Sequence, residues 1–301
     1  MIRIFAVDPE LVASWHDQNS YRYFMTAFGL GTPRILAQLP DNWKRKVLSR
    51  TNGRTEIEKK RIESLALQMT EIAVKRAGSD YDVALPWRDN AEQESTRIPI
   101  DLILDVSNFE SEFERSKDNK WNLPTSRVVN RADKAMVECL QSLLSNARKI
   151  SFIDPYFTAH DRFTRPLARF ARCARMYSMP LQTKQIEIHT SASYDSAPSW
   201  TDFENSCKAK LPGIFSQKQT IKIVRWRQRA GGERLHNRYI LTDLGGVQFP
   251  KGLDEGSPSE TDDLSLLSRD AYEIRWSEYM GPAFGYDIEN ELIIEGAAPP
   301  G

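Results

Sequence analysis

The chain has 301 residues, 40% hydrophobic and 27% charged, with Lys+Arg and Asp+Glu both at 41. That is an ordinary globular composition, enough for one large or two modest domains, and its balanced charge singles out no partner. The longest apolar runs fall short of a membrane span, residues 1–5 lack the apolar core of a secretory signal, and three cysteines do not make a disulfide framework. A reducing, cytoplasmic setting without membrane contact is expected.

Residues 1 to about 50 mix aromatics with breakers. Tyr21, Tyr23, Phe24 and Phe28 cluster ahead of Gly29, Gly31 and Pro33, and are expected in a core. Ile57, Ile62, Leu65, Met69, Ile72 and Val74 recur at helical spacing, which predicts a helix over 54–77 stopped by Gly78. Strands are expected at 82–85 and 98–104. The polar stretch 107–124 reads as a loop or linker, so an N-terminal α+β region is placed at 1–125 and a second domain at 126–301.

The second half has a stronger rhythm. Helices are predicted over 132–147, 163–177 and 200–210, with Pro166 in the first turn of the second. Strands are predicted at 149–154, 185–190, 220–227, 235–242 and from 247, then a loop over 251–263. Further strands are expected at 272–276 and 291–294. The alternation of elements implies an α/β layered fold with a mixed sheet flanked by helices.

One octet stands out: His236-Asn237-Arg238-Tyr239-Ile240-Leu241-Thr242-Asp243. Read as a strand, it puts His236 and Arg238 on one face. An imidazole beside a guanidinium suits attack on a phosphate, one as nucleophile or proton carrier and the other holding phosphoryl oxygens. Upstream, 218–238 carries Lys218, Lys222, Arg225, Arg227, Arg229, Arg234 and Arg238 against Glu233 alone, with Trp226 among them as a stacking surface. Arg162, Arg165, Arg169, Arg172 and Arg175 add charge on the 163–177 helix. Such segregation fits a nucleic-acid footprint, unless the acidic run of Asp254, Glu255, Glu260, Asp262 and Asp263 pairs with it. His189, at a strand end, is a weaker candidate for lining the same cleft. Asp154, His160 and Asp161 read as turn residues rather than a metal cluster. No metal or cofactor is expected.

The octet resembles the His-x-Lys-x4-Asp signature of the phospholipase D-like superfamily, and Ile150-Ser151-Phe152-Ile153-Asp154-Pro155-Tyr156-Phe157 resembles the strand and turn that open a half-domain of that family. The likeness spans roughly 130–260, and belongs to a divergent bacterial subgroup with His-x-Arg-x4-Asp. It implies a phospholipase D-like fold and a metal-independent phosphodiesterase working through a phosphohistidine. His236 would be the nucleophile and, from a second chain, the general acid. Arg238 would clamp the phosphate, with Arg225, Arg227, Arg229 and Arg234 as further phosphate or nucleic-acid contacts. Asp243 completes the motif, and its place beside Gly245-Gly246 suits a scaffold role. Because the motif occurs once, the resemblance implies a homodimer.

Two departures matter. Arg238 replaces Lys, and the family's Gly-Ser-x-Asn region reads Gly252-Leu253-Asp254-Glu255-Gly256. Asp254 or Glu255 is expected to orient His236, although the same two carboxylates could equally repel a phosphodiester. The leading expectation is a nuclease on DNA or RNA, with antiphage defence as its setting by analogy. The alternative is a catalytically inactive phospholipase D-like module binding protein or nucleic acid within a larger complex. A phosphohydrolase on a small phosphate ester is a third reading.

Overall fold

The computed structural model of the chain describes residues 1–76, 80–114, 121–176, 184–217, 219–281 and 285–297. Gly78, Tyr177 and Lys218, named above, lie outside them. The chain divides into two compact units, Met1–Thr125 and Ser126–Gly301.

The first unit strings together β1 (Arg3–Val7), α1 (Pro9–Ser14), α2 (Gln18–Ala27), β2 (Arg34–Gln38), α3 (Trp43–Ser49), α4 (Glu56–Thr70), β3 (Val74–Lys75), α5 (Trp87–Arg97), β4 (Leu102–Leu104) and α6 (Phe109–Glu114). Its strands form a parallel sheet in the order β3-β2-β1-β4. Phe5, Phe24, Phe28, Trp43 and Trp121 meet in its core. Trp43 keeps its indole N–H satisfied by donating to the Val7 carbonyl at 2.7 Å. Phe24 and Phe28 are core residues as expected, whereas Tyr23 is 41% exposed.

Several expectations for this unit are corrected. The helix begins at a Thr55–Glu58 capping box and ends at Thr70. Val74 belongs to β3, where it pairs with Ala37; strand pairing outcompetes helix propensity in the Ile72-Ala73-Val74 run. Residues 82–85 form a turn in which the Asp82 carboxylate accepts from the Ala84 N–H at 2.8 Å, and Val83 is exposed. Helix α5 was not anticipated, because a polar sequence shows no apolar stripe. The 107–124 stretch holds α6 and the buried Trp121.

The second unit contains β5 (Ser126–Asn130), α7 (Asp133–Asn146), β6 (Lys149–Ile153), α8 (Asp161–Arg175), β7 (Gln185–Ser191), α9 (Trp200–Lys210), β8 (Thr220–Arg227), β9 (Tyr239–Thr242), β10 (Gly245–Gln248), β11 (Thr261–Leu266), α10 (Arg269–Met280) and β12 (Asp287–Glu295). They build an eight-stranded mixed sheet in the order β12-β8-β7-β6-β9-β10-β11-β5. β6, β7 and β8 run parallel, and β9 lies antiparallel to β6. Alternation sorts the two faces. Phe152 points to the helical layer and stacks on Phe170 of α8 at 5.7 Å, while Ser151 and His189 face α10, contacting Met280 and Tyr279.

Four corrections matter here. Residues 272–276 lie in α10, started by Ser268, whose hydroxyl accepts from the Ala271 N–H; aromatic residues there mimic strand composition. Residues 261–263 belong to β11 rather than a loop. The predicted strand at 235–242 is ordered as a strand only from Tyr239. His236 and Arg238 precede it in irregular backbone, so strand parity does not place them on a shared face. In α8, Pro166 follows a first turn capped by His160, one turn deeper than expected.

Candidate functional site

The octet sits where β9 begins, beside the carboxyl end of β6. The Ile153↔Tyr239 register brings the two chain segments together there. Leu235 is buried and anchors the approach, while His236 itself is exposed. Arg238 extends the pairing beyond the strand, its carbonyl accepting from the Phe249 N–H at 2.9 Å. Its guanidinium lies 5.0 Å from the Tyr156 ring centroid and donates through Nη1 to the Pro250 carbonyl at 3.2 Å. Its Nε is closed off from water and has no hydrogen-bond acceptor, a state that costs free energy.

Asp154 organises these neighbours. It is buried, accepts from the Tyr156 N–H at 3.0 Å and from the Leu253 N–H at 2.9 Å. It thereby fixes both the ring beneath Arg238 and the loop that supplies Pro250. Burial pushes its carboxyl above the usual carboxylate range, opposed by those two N–H groups and by Arg238. Gly252 makes the close approach possible: at φ +119°, a Cβ there would meet Asp254 Oδ1 at 2.7 Å and Asp154 Oδ2 at 3.2 Å.

Asp254 and Glu255 do not serve His236. The Asp254 carboxylate is buried and takes Arg131 Nη2 on one oxygen at 2.6 Å and Arg162 on the other. Glu255 pairs with Arg165 at 2.9 Å. A buried carboxylate demands fixed cationic partners, and the arginines of β5–α7 and α8 meet that demand. The expectation that these two orient the imidazole is therefore corrected. Asp243 is also committed to scaffolding: it accepts from the Arg148 and Lys149 N–H groups at 2.8 and 3.1 Å, tying the β9–β10 turn to the start of β6.

The basic stretch is split by strand geometry. Arg225 is buried, donates to the Pro198 carbonyl at 2.7 Å and lies over Phe203, so it is not a free phosphate contact. Arg229 pairs with Asp287 at 2.9 Å. Arg227 and Arg234 are exposed and make no ion pair among the described residues. Trp226 is buried and donates to His189 Nδ1 at 3.1 Å, so it cannot stack on a base. His189 is fully buried and lines no cleft; burial lowers its pKa. On α8, Arg162, Arg165 and Arg169 are held by Asp254, Glu255 and Asp133, leaving Arg172 exposed. His160 caps that helix, and Asp161 pairs with Lys210 at 2.9 Å.

Sequence reasoning missed three groups near the octet. Tyr156 carries the guanidinium contact and was legible only as part of an Asp-Pro-Tyr-Phe turn. Arg131 and Tyr194 had no local signal. A separate cavity of about 210 Å³ lies under α10, lined in part by Glu187, Lys222, Trp226 and Tyr279, on the sheet face opposite Phe152 and the helical layer.

Comparison with protein-family models and with curated proteins gives no match. Among solved structures, the chain is similar to an archaeal chromatin protein, TrmBL2, described as showing a novel mode of DNA binding. The identity is 12%, the coverage 64% of this chain and 60% of that one, and the TM-score 0.29. No helix among the described residues is long and apolar enough to cross a membrane.

Proposed function

We propose that the second unit is a phospholipase D-like phosphodiesterase acting on nucleic acid without a metal ion. The observation that carries this reading is an exposed His236 two residues before a guanidinium held by the Tyr156 ring and the Pro250 carbonyl. An imidazole open to substrate can attack phosphorus, and an arginine with spare donors can hold the oxygens that gain charge. His236 would form the phosphohistidine, and His236 of a second copy would protonate the leaving oxygen. Exposed Arg227 and Arg234 would add backbone contacts to the polyanion. By analogy with the resemblance, its setting would be antiphage defence in the cytoplasm.

The test is hydrolysis of a phosphodiester or oligonucleotide in EDTA. Cleavage that persists in the chelator and disappears in His236→Ala supports the reading. Cleavage that requires a divalent cation, or survives His236→Ala, overturns it. A second reading, an inactive binding module, draws on one observation: Asp254 and Glu255 are engaged by arginines, so neither orients His236. Nucleic-acid binding without cleavage under either condition would favour it.

A further inference from the structure

Beyond Arg238, the contacts continue to a second ring. Tyr156 and Tyr194 lie 5.1 Å apart at an interplanar angle of 67°, and both are half-exposed. Successive separations of 5.0 and 5.1 Å therefore connect the guanidinium to Tyr156 and Tyr156 to Tyr194.

The segment carrying Tyr194 is held in place at several points. The Ala192 N–H donates to the Trp226 carbonyl at 2.8 Å, and the Ala197 N–H closes a turn on the Tyr194 carbonyl at 2.9 Å. Ser193 Oγ accepts from the Gln228 N–H at 3.1 Å, and the Pro198 carbonyl accepts from Arg225 at 2.7 Å. Arg225 thus gains a role that its burial denied it as a phosphate contact: it pins the loop over the ends of β7 and β8. Half-buried aromatic side chains on a pinned backbone lose little entropy on binding.

We propose that Tyr194, braced edge-to-face by Tyr156 beside Arg238, is an aromatic platform that takes an unpaired base, making single-stranded nucleic acid the substrate class; this rests on the nucleic-acid reading above. Every base has a π-face, so stacking is tolerant of sequence. In a duplex those faces are covered by neighbouring bases, and a ring can reach one only after unstacking. Arg238 would hold the phosphate while the adjoining base rests on the Tyr194 ring.

The experiment uses the full chain carrying His236→Ala, so that bound strand is not consumed. Fluorescence anisotropy measures binding of a labelled oligo-dT and of a duplex of equal length. The expected result is preference for oligo-dT, weakened about 5- to 150-fold by Tyr194→Ala, the range stacking supplies. Tyr194→Phe should bind within about two-fold of the parent, because the ring face is kept. Tyr156→Phe serves as the equivalent check at the inner ring, and thermal melting identifies any variant that does not fold. Equal binding of duplex and single strand, undiminished binding by folded Tyr194→Ala, or no oligo-dT binding at all would overturn the platform. Hydrolysis of bis(p-nitrophenyl) phosphate in EDTA by the His236-containing protein reports separately on the phosphodiesterase reading. The platform can thus fail while diester hydrolysis stands, or hold while it fails.

Discussion

Asp243 shows how a motif residue is read differently once its partners are known. Its carboxylate accepts from two backbone N–H groups, so Asp243→Ala should cost about 1 kcal/mol in urea unfolding. Asp243→Asn retains an accepting oxygen and should leave hydrolysis near the parent rate; a collapse of activity with stability unchanged would make Asp243 a catalytic group. Lys184 gives a pH signature in the same region. Its ammonium donates to the Leu144 and Ser145 carbonyls, and burial pushes its pKa from 10.5 to about 8. A lowered pKa means that folding favours the neutral amine. Its stabilising contribution is present above 10.5 and lost as pH falls through 8. Unfolding measured across that window should show the decline, and Lys184→Met should flatten it.

Loop 251–256 is an element made by its salt bridges rather than by its own backbone preference. Arg131 and Asp254 are both buried, and Arg131 also reaches the Lys251 and Asp254 carbonyls. Arg131→Met should destabilise the second unit by about 3 kcal/mol, the lower end for breaking a buried pair, because Arg162 still holds the other Asp254 oxygen. Denaturant titration would check it. The hairpin of β9 and β10 offers an independent probe of packing. A Cβ at Gly246 would lie 2.7 Å from Leu241 Cδ2 and 2.9 Å from Leu267 Cδ1. Gly246→Ala should therefore cost about 1–3 kcal/mol through overpacking, read as a lower melting temperature. Much of this element pattern was legible in the sequence. The helix at 200–210 and the strand at 220–227 match α9 and β8, because each has a full apolar period and a clear stop. The 272–276 segment misled because Tyr272 and Trp276, four apart, stack along one helix face, while their composition favours strands.

At the scale of the whole molecule, the proposed site needs two copies of His236, since the motif occurs once per chain. Mixing parent chains with an equal amount of His236→Ala chains, refolded together, distinguishes a shared site from separate ones. A two-chain site leaves about one quarter of the parent activity per total chain, whereas independent sites leave about one half. Light scattering on the parent protein should give the mass of a dimer. The two units differ in sheet logic as well: the first is wholly parallel, the second mixed. Helix α5, polar and without an apolar stripe, and the strands β3 and β4, too short for a period to show, left the first unit hard to read.

By itself the sequence determined the α/β alternation of the second unit, the apolar faces of its longer elements and the spacing of His236, Arg238 and Asp243. These are local properties, set by periodicity within a few turns or strand pairs. Only the tertiary structure decided which charges are available. Asp254 was matched with Arg131 across 123 residues and with Arg162 across 92, and Arg225 was turned inward to hold the loop of Tyr194. Burial of a charge is affordable only with a partner in place, and that partner comes from wherever the fold brings one. The octet was visible as a string; the tyrosines beside it, and the carboxylates withdrawn from it, became visible only in three dimensions.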